Sequence, residues 1–344
     1  MLPSTHSRQQ WPAYRKLAHN TLLPACWTAV FLPVLVWLLI RSIGEDWWVA
    51  TVLLYGPLWV LMLPNLLLLP FAVWRRQRVG WWLVASIVFT SGPLLGLELN
   101  IPIPQASPSQ ARKPFKLISC NVGGGALDWN NLIPQVAKEQ PDAVLLQECP
   151  DAAKAAAAFP PIDWHVHAAG GLFLASRFPI VERATIVNAE GWRTMAAFSR
   201  LQLPGGSIWV VNIHLDTPRR GFEELRHGNL SAAIHTLEQD ADTRGNESRQ
   251  VRQRVDALHE WAIVAGDFNL VPNSLIYREN WGHYADAFDV AGFGYGSTKQ
   301  TRLWGVRIDH VLVQSAGDVQ ACHIGADVGS DHRPLIVELS IPLK

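Results

Sequence analysis

The residues able to do chemistry in this chain share a position more than a motif, for each one borders an apolar run. Asn121 ends one run, and Gln147 with Glu148 ends the next. Asn212 and His214 close a third, and Asp267 and Asn269, in Gly-Asp-Phe-Asn, close a fourth. Asp309-His310 lies in Arg-Ile-Asp-His, and Ser330-Asp331-His332-Arg333-Pro334 precedes the last run. A single Asp after a strand is more often a turn or a helix cap than a ligand. A set of acids, amides and imidazoles gathered at one rim of a sheet is a site. Carboxylates and amide oxygens suit a hard divalent cation. There is no His-Glu-x-x-His and no Cys/His cluster, which disfavours zinc. There is no phosphate loop ending in Gly-Lys-Ser/Thr and no Gly-x-Ser-x-Gly elbow, so neither a nucleotide switch nor a serine hydrolase is indicated. Cys26, Cys120, Cys149 and Cys322 have no ligand spacing and read as small buried hydrophobes.

Positioning those residues takes a layered scaffold. Residues 115–121, 143–147, 171–176, 196–203, 207–215, 261–266, 307–313 and 335–339 read as short strands. Several are continuously apolar, the pattern of strands buried on both faces. Residues 131–140, 224–240 and 247–260 read as helices, and 123–125, three glycines, as a flexible loop. The mix predicts two sheets packed together with helices outside.

The charges divide unevenly. Up to Gln105 the chain carries 7 of its 29 Lys and Arg and 3 of its 29 Asp and Glu. The remainder is therefore charge-rich and mildly acidic, a poor composition for gripping DNA by counterion release. Three apolar runs, about 21–40, 47–74 and 79–99, uncharged but for Glu98 at the end of the third, predict three transmembrane helices, since a hydrocarbon core takes roughly 20 helical residues. Prolines inside them are tolerated in membrane helices, and Trp47, Trp48, Trp74, Trp81 and Trp82 stand at the run ends as an interfacial belt would. Arg8, Arg15 and Lys16 before the first run, and Arg75, Arg76 and Arg78 before the third, keep those flanks cytoplasmic. The expectation is a multi-pass anchor over 1–100 in the inner (cell) membrane, with a cytoplasmic N-terminus. An extended linker follows over 101–114, and then an extracytoplasmic, or periplasmic, domain over 115–344.

Taken in order, Asn121, Gln147-Glu148, Asn212-x-His214-Leu215, Gly266-Asp267-Phe268-Asn269, Ile308-Asp309-His310 and Ser330-Asp331-His332-Arg333-Pro334 resemble the motif series of the endonuclease/exonuclease/phosphatase superfamily. That group includes DNase I-like nucleases and neutral sphingomyelinases, and the chain looks like one of its membrane-anchored bacterial members. The resemblance spans about 115–342 and implies a four-layered α/β sandwich of two mixed sheets flanked by helices. It implies a metal-dependent phosphoesterase. Mg2+, with Mn2+ as the alternative, would be held by Glu148 with Asn121 nearby and Asp331 as a ligand or close neighbour. Asp267 would activate water, and Asn269 would hold the phosphate or that water. Asp309 would keep His332 charged against the pentacoordinate phosphorane, and His214 would contact the phosphate or assist the leaving group.

The anchor favours a phosphorylated, lipid-linked substrate at the outer face of the bilayer, because tethering concentrates the enzyme near lipid. A second reading is an extracytoplasmic metal-dependent nuclease, with nucleic acid as partner. A third, from another class, is a non-catalytic sensor of a phosphorylated ligand.

Overall fold

A computed structural model describes residues 10–100 and 112–342. Arg8 and residues 101–111 of the expected linker lie outside the described residues. The chain forms two compact units, one from Met1–Leu39 and Pro57–Gly96, the other from Ile40–Gly56 and Leu97–Lys344.

The N-terminal helices are α1 (Gln10–Ser42), α2 (Trp48–Tyr55), α3 (Leu63–Trp74) and α4 (Val79–Phe89). Leu22–Ser42 is long and apolar enough to cross a membrane, with a mean hydropathy of 2.2. The run expected as one span over 47–74 is instead two pieces, Trp48–Tyr55 and Leu58–Trp74, meeting at 86°. The break falls at Gly56-Pro57, where the proline ring pushes the preceding residue out of the α region; Gly56 is extended, with φ −85° and ψ 175°. Helix in the third run covers only Val79–Leu94. Among the described residues, then, one helix, or two if the bent pair counts as a span, suffices by length and composition to cross. In the first unit Cys26, Ala29, Val30, Ala72, Val79 and Leu83 pack together, while Leu67, Phe71, Trp74, Trp81 and Val88 are exposed.

In the second unit β1 (Arg112–Asn121), β2 (Ala143–Gln147), β3 (His165–Ala169) and β4 (Leu172–Ser176) begin one sheet. A second consists of β5 (Ile180–Val187), β6 (Thr194–Leu203), β7 (Gly206–His214), β8 (Ala262–Asp267), β9 (Ala285–Asp286) and β10 (Asp309–Val313). The chain then returns to the first through β11 (Val319–Ile324) and β12 (Leu335–Pro342). The orders are β11-β12-β1-β2-β4-β3 and β9-β10-β8-β7-β6-β5. Both sheets are mixed, with β1–β2 and β7–β8 parallel and their other pairings antiparallel.

Phe115, Leu117 and Leu145 of the first sheet meet Leu201, Val210, Ile263 and Val311 of the second to form the central core. The other face of the first sheet is covered by α5 (Trp129–Glu139) and α6 (Ala152–Ala158) through Leu132, Val136 and Ala155. α7 (Arg219–Arg226), α8 (Leu230–Asp256) and α9 (Leu275–Trp281) follow in the chain. Val251 and Val255 of α8 and Trp281 of α9 pack on the outer face of the second sheet. The expected order of helix, sheet, sheet and helix is therefore present in this unit. Both faces of the central strands are buried, which is why they read as unbroken apolar runs.

Two expectations change. The helices expected over 224–240 and 247–260 are the short α7 and one continuous α8. The residues between them include the weak helix formers Asp242, Thr243, Gly245 and Asn246, but a buried stripe of Ala233, Leu237, Ala241, Ser248, Val251 and Val255 carries the helix through. β3, β5 and β11, three of the four edges of these two sheets, form no unbroken apolar run, because polar residues such as His165, Glu182, Arg183 and His323 face water at an edge.

Gly266 lies where β7 and β8 pair, at φ +141°, and a Cβ there would fall 2.1 Å from the Ile213 carbonyl oxygen. Gly245 on α8 has room, its nearest contact for a Cβ being Ile276 at 3.9 Å. Thermal unfolding of the purified protein should show Gly266→Ala destabilised by about 2–3 kcal/mol. Gly245→Ala should be neutral or stabilising by roughly 0.5–1 kcal/mol.

Candidate active site

Strand register alone delivers the polar residues to one rim. In the parallel pair β1–β2, Asn121 lies opposite Gln147, and in β7–β8 His214 lies opposite Asp267. Parallel strands end at the same side, so each pair presents two C-terminal residues together. β10 runs antiparallel to β8 and begins with Asp309 opposite Asp267. β12 runs antiparallel to β1, with Leu335 opposite Ser119, which brings the preceding Ser330–Pro334 segment to that same rim.

Asn121 joins the two sheets there. Its Nδ2 donates to Glu148 Oε1 at 3.0 Å and to Asp267 Oδ2 at 2.8 Å, while its Oδ1 accepts from the Gly123 amide at 2.9 Å. His214 Nε2 lies 3.6 Å from Glu148 Oε1 and 3.9 Å from Asp267 Oδ2. His332 Nδ1 donates to Asp309 Oδ2 at 2.8 Å, and its Nε2 lies 3.7 Å from Asp267 Oδ2. Asp267 Oδ2 is thus the point on which three neighbours converge. Its Oδ1 accepts from the Asn269 amide at 2.8 Å, and Asn269 Nδ2 donates to the Leu215 carbonyl at 2.9 Å.

Glu148 and Asn269 both adopt left-handed backbone, φ 49°. Asn tolerates that region, whereas for Glu it costs on the order of 1–3 kcal/mol and persists only where neighbours enforce it. The Glu148 carbonyl accepts from the Gly124 amide, and the next amide, Cys149, donates to the Gly171 carbonyl.

Electrostatics sort the ionisable groups. Burial opposes charge on His332, but Asp309, by its charge and its hydrogen bond, and Asp267 outweigh it and raise the pKa to about 9. Burial pushes the Asp267 carboxyl up, Asp309 adds to the rise, and His332 and His214 partly offset it. A carboxylate so disposed is a better proton acceptor than an exposed one. Because the folded value for His332 lies above that of a free imidazole (about 6.5), its charge contributes stability that is complete below about pH 6.5. That contribution is lost as pH rises through about 9.

Among the described residues, two groups of side chains bring their ligand atoms within 4.8 Å of one another: Glu148, His214 and Asp267, and Asp267, Asp309 and His332. Among the described residues no Lys or Arg pairs with Glu148 or Asp267. Carboxylates that lack a fixed cationic partner and lie beside a carboxamide fit a hard divalent cation.

Asn121, Glu148, His214, Asp267, Asp309 and His332 are therefore gathered in one place, with Asn269 joined through Asp267. Asp331 stands apart from both converging groups. Its side chain is 53% exposed, it pairs with Lys299, and its Oδ1 lies 4.0 Å from His332 Nε2. Gln147 and Asn212 are buried between the sheets, where Gln147 Nε2 donates to Asn212 Oδ1 at 2.7 Å and Asn212 Nδ2 donates to the Leu146 and Phe173 carbonyls. His310 is buried between Asp286 and the Leu270 carbonyl. These three are structural. The four cysteines are free and buried.

Sequence reasoning missed three supports. Ser330 Oγ donates to the Asn121 carbonyl at 2.8 Å and accepts from the His332 amide at 3.1 Å. Thr298 Oγ1 accepts from the amides of Ile308 and Asp309. Lys299 holds Asp331. Ser330 lay inside a quoted motif, but Thr298 and Lys299 border no long apolar run and gave no signal.

The sequence profile of the Endonuclease/Exonuclease/phosphatase family matches residues 118–332. Among solved structures, an endonuclease/exonuclease/phosphatase family protein from Leptotrichia buccalis is similar at 16% identity, with a TM-score of 0.52 over 66% of this chain and 100% of that one. A protein of the same family from Bacteroides thetaiotaomicron is similar at 17% identity, with a TM-score of 0.51 over 67% of this chain and 98% of that one. At these identities the likeness is one of fold. No curated protein matches the sequence.

The Asp309–His332 pair sets a pH signature. Turnover that needs the His332 imidazolium should fall as pH rises through about 9. Asp309→Asn removes the charge that raises the imidazole, so the descending limb of its kcat–pH profile should move to lower pH. An unmoved limb would refute the pairing.

Proposed function

From the premise that the chain belongs to the Endonuclease/Exonuclease/phosphatase family and is a metal-dependent phosphoester hydrolase, we propose that it uses Mg2+ to cleave a phosphodiester, phosphomonoester or pyrophosphate bond in a lipid-linked substrate at the outer face of a membrane. The observation that carries the chemistry is the convergence on Asp267 Oδ2 of Asn121, His214 and His332, with Asp309 behind His332 and Glu148 bonded to the same Asn121 amide.

Glu148 is the main metal-holding carboxylate in this reading, with Asn121 beside it and Asp331 at the rim. A cation held there, Mg2+ or Mn2+ in its place, would supply positive charge against the negative charge that grows on the phosphoryl oxygens. Asp267 orients the attacking water and takes its proton; burial makes it more basic than an ordinary exposed carboxylate. Asn269 holds the phosphate or the water through its amide. His332, kept protonated by Asp309, presents a fixed positive charge to the phosphorane, an effect strengthened by burial. His214 contacts the same phosphate or assists the leaving group.

The membrane part of the reading draws on the first unit, whose helices expose large apolar side chains around a small core. Residues 40–56 belong to the sheet-bearing unit. That supports a chain that crosses outward at 22–42, returns inward before the arginines at 75–78, and crosses out again. The arrangement is a multi-pass inner-membrane anchor with a cytoplasmic N-terminus and an extracytoplasmic catalytic domain. A lipid substrate is further supported by the two-stranded hairpin of Lys299–Gln300 and Gly305–Val306. It starts beside His332, through a bridge from Lys299, and carries Leu303 73% exposed between its strands. The nuclease alternative draws little from the basic residues after β7, because Arg219 pairs with Glu223 and Arg220 with Asp240. Complete Glu148, Asp267 and His332 weigh against the non-catalytic sensor.

The test offers the purified full-length protein a phospholipid, a polyprenyl pyrophosphate and DNA side by side, with Mg2+. Mg2+-dependent release from a lipid is expected. It should vanish with chelator and fall by about 10³-fold or more in Asp267→Ala. DNA cleavage without lipid turnover would move the protein to the nuclease reading.

A further inference from the structure

The catalytic turn receives a hydrogen bond from a residue more than two hundred positions earlier. Tyr55, the last residue of α2, donates its hydroxyl to the Asn269 carbonyl at 2.6 Å. Both residues belong to the same compact unit. Three groups of Asn269 are then engaged: its amide by Asp267, its side-chain nitrogen by the Leu215 carbonyl, and its carbonyl by Tyr55. A left-handed non-glycine residue needs such enforcement. The Tyr55 bond fixes the peptide plane between Asn269 and Leu270, which the other two leave free to rotate.

Tyr55 is itself held from two sides. Trp304 Nε1 donates to its carbonyl at 2.9 Å, and its ring meets the edge of Phe222 on α7 at 5.9 Å. Ahead of it, the segment is seated on the start of α9. Ser274 Oγ and the Leu275 amide both donate to the Glu45 carboxylate, and Arg278 donates to the Arg41 carbonyl at 2.7 Å. Gly44, at φ +59°, lies so close that a Cβ would fall 2.4 Å from Leu275 Cβ. Ile40–Gly56 is thus fitted to the loop and helix that follow Asn269.

We propose that Tyr55 is a positioning residue for the Asp267–Asn269 turn, so that a segment of the apolar N-terminal region is a working part of the active site. The inference rests on reading that turn as catalytic. A group held within a fraction of an ångström by a hydrogen bond loses rate when the bond is removed, while the resting fold is little changed.

The experiment uses full-length protein, bis(4-nitrophenyl) phosphate as probe, and saturating Mg2+. Tyr55→Phe keeps the ring contact with Phe222 and deletes only the donor. It should lower kcat about three- to tenfold with KM unchanged, the size of one lost hydrogen bond. Hydrogen exchange at residues 267–271 should quicken. Leu53→Ala, at a half-buried position on the other face of the same helix from Tyr55, should leave both unchanged. Wild-type kcat in Tyr55→Phe would overturn the proposal whatever the exchange shows. Asn269→Ala separates the two levels of inference: undiminished kcat there would refute the catalytic reading of the turn itself, and the role of Tyr55 with it.

Discussion

One carboxamide ties the active rim together. Asn121 sits at the end of a strand in the first sheet and donates at once to Glu148, which follows the neighbouring strand, and to Asp267 in the second sheet. Its oxygen is fixed by the Gly123 amide, so both of its N–H groups are committed to the acids. Two carboxylates brought this close repel each other, and burial raises the cost for Asp267. The amide offsets part of that repulsion without supplying charge, and leaves the remainder to a cation.

The second half of the rim handles charge differently. Asp309 and His332 are buried as a hydrogen-bonded pair, so the positive charge is made locally and held in place. Removing one partner would strand the other in a dry environment. Thr298 and Ser330 hold the backbone around this pair, and the exposed Asp331–Lys299 pair lies beside it, joined through the bridge from Lys299 to His332. A fixed cationic imidazole beside a basic carboxylate is an arrangement suited to a reaction in which negative charge grows at one phosphorus while water loses a proton.

The Gly56-Pro57 break has a consequence for the N-terminal region. A continuous helix over 47–74 would have carried Tyr55 on as one residue among many in an apolar rod. The break ends α2 at Tyr55 and lets the preceding residues, with Gly44 in a left-handed turn, lie against α9. Composition assigns residues 40–56 to the apolar region, yet they cluster with the charged sheets. Hydropathy measures what surrounds a segment on average, and cannot register a close fit made by one carboxylate, one glycine and one hydroxyl.

Much of this protein is legible in its sequence. Central strands buried on both faces must be apolar throughout, so residues such as 143–147 and 261–266 announce themselves, and the polar residue that ends each run stands out against them. That contrast, with the order of the motifs, points to the family and singles out Asn121, Glu148, His214, Asp267, Asn269, Asp309, Asp331 and His332; of these the fold leaves Asp331 exposed and paired with Lys299. It could not rank them against equals at the same positions. Gln147, Asn212 and His310 also border strands, and the fold turns them inward to bond between layers. Nor could it find edge strands, the continuity of α8, or the parts played by Thr298, Lys299 and Tyr55. Local pattern records whether a residue is buried and in which element. Which of two strand-end amides meets the acids at the rim and which bonds to another amide between the sheets depends on register and packing between segments far apart in the chain, and only the tertiary structure decides that.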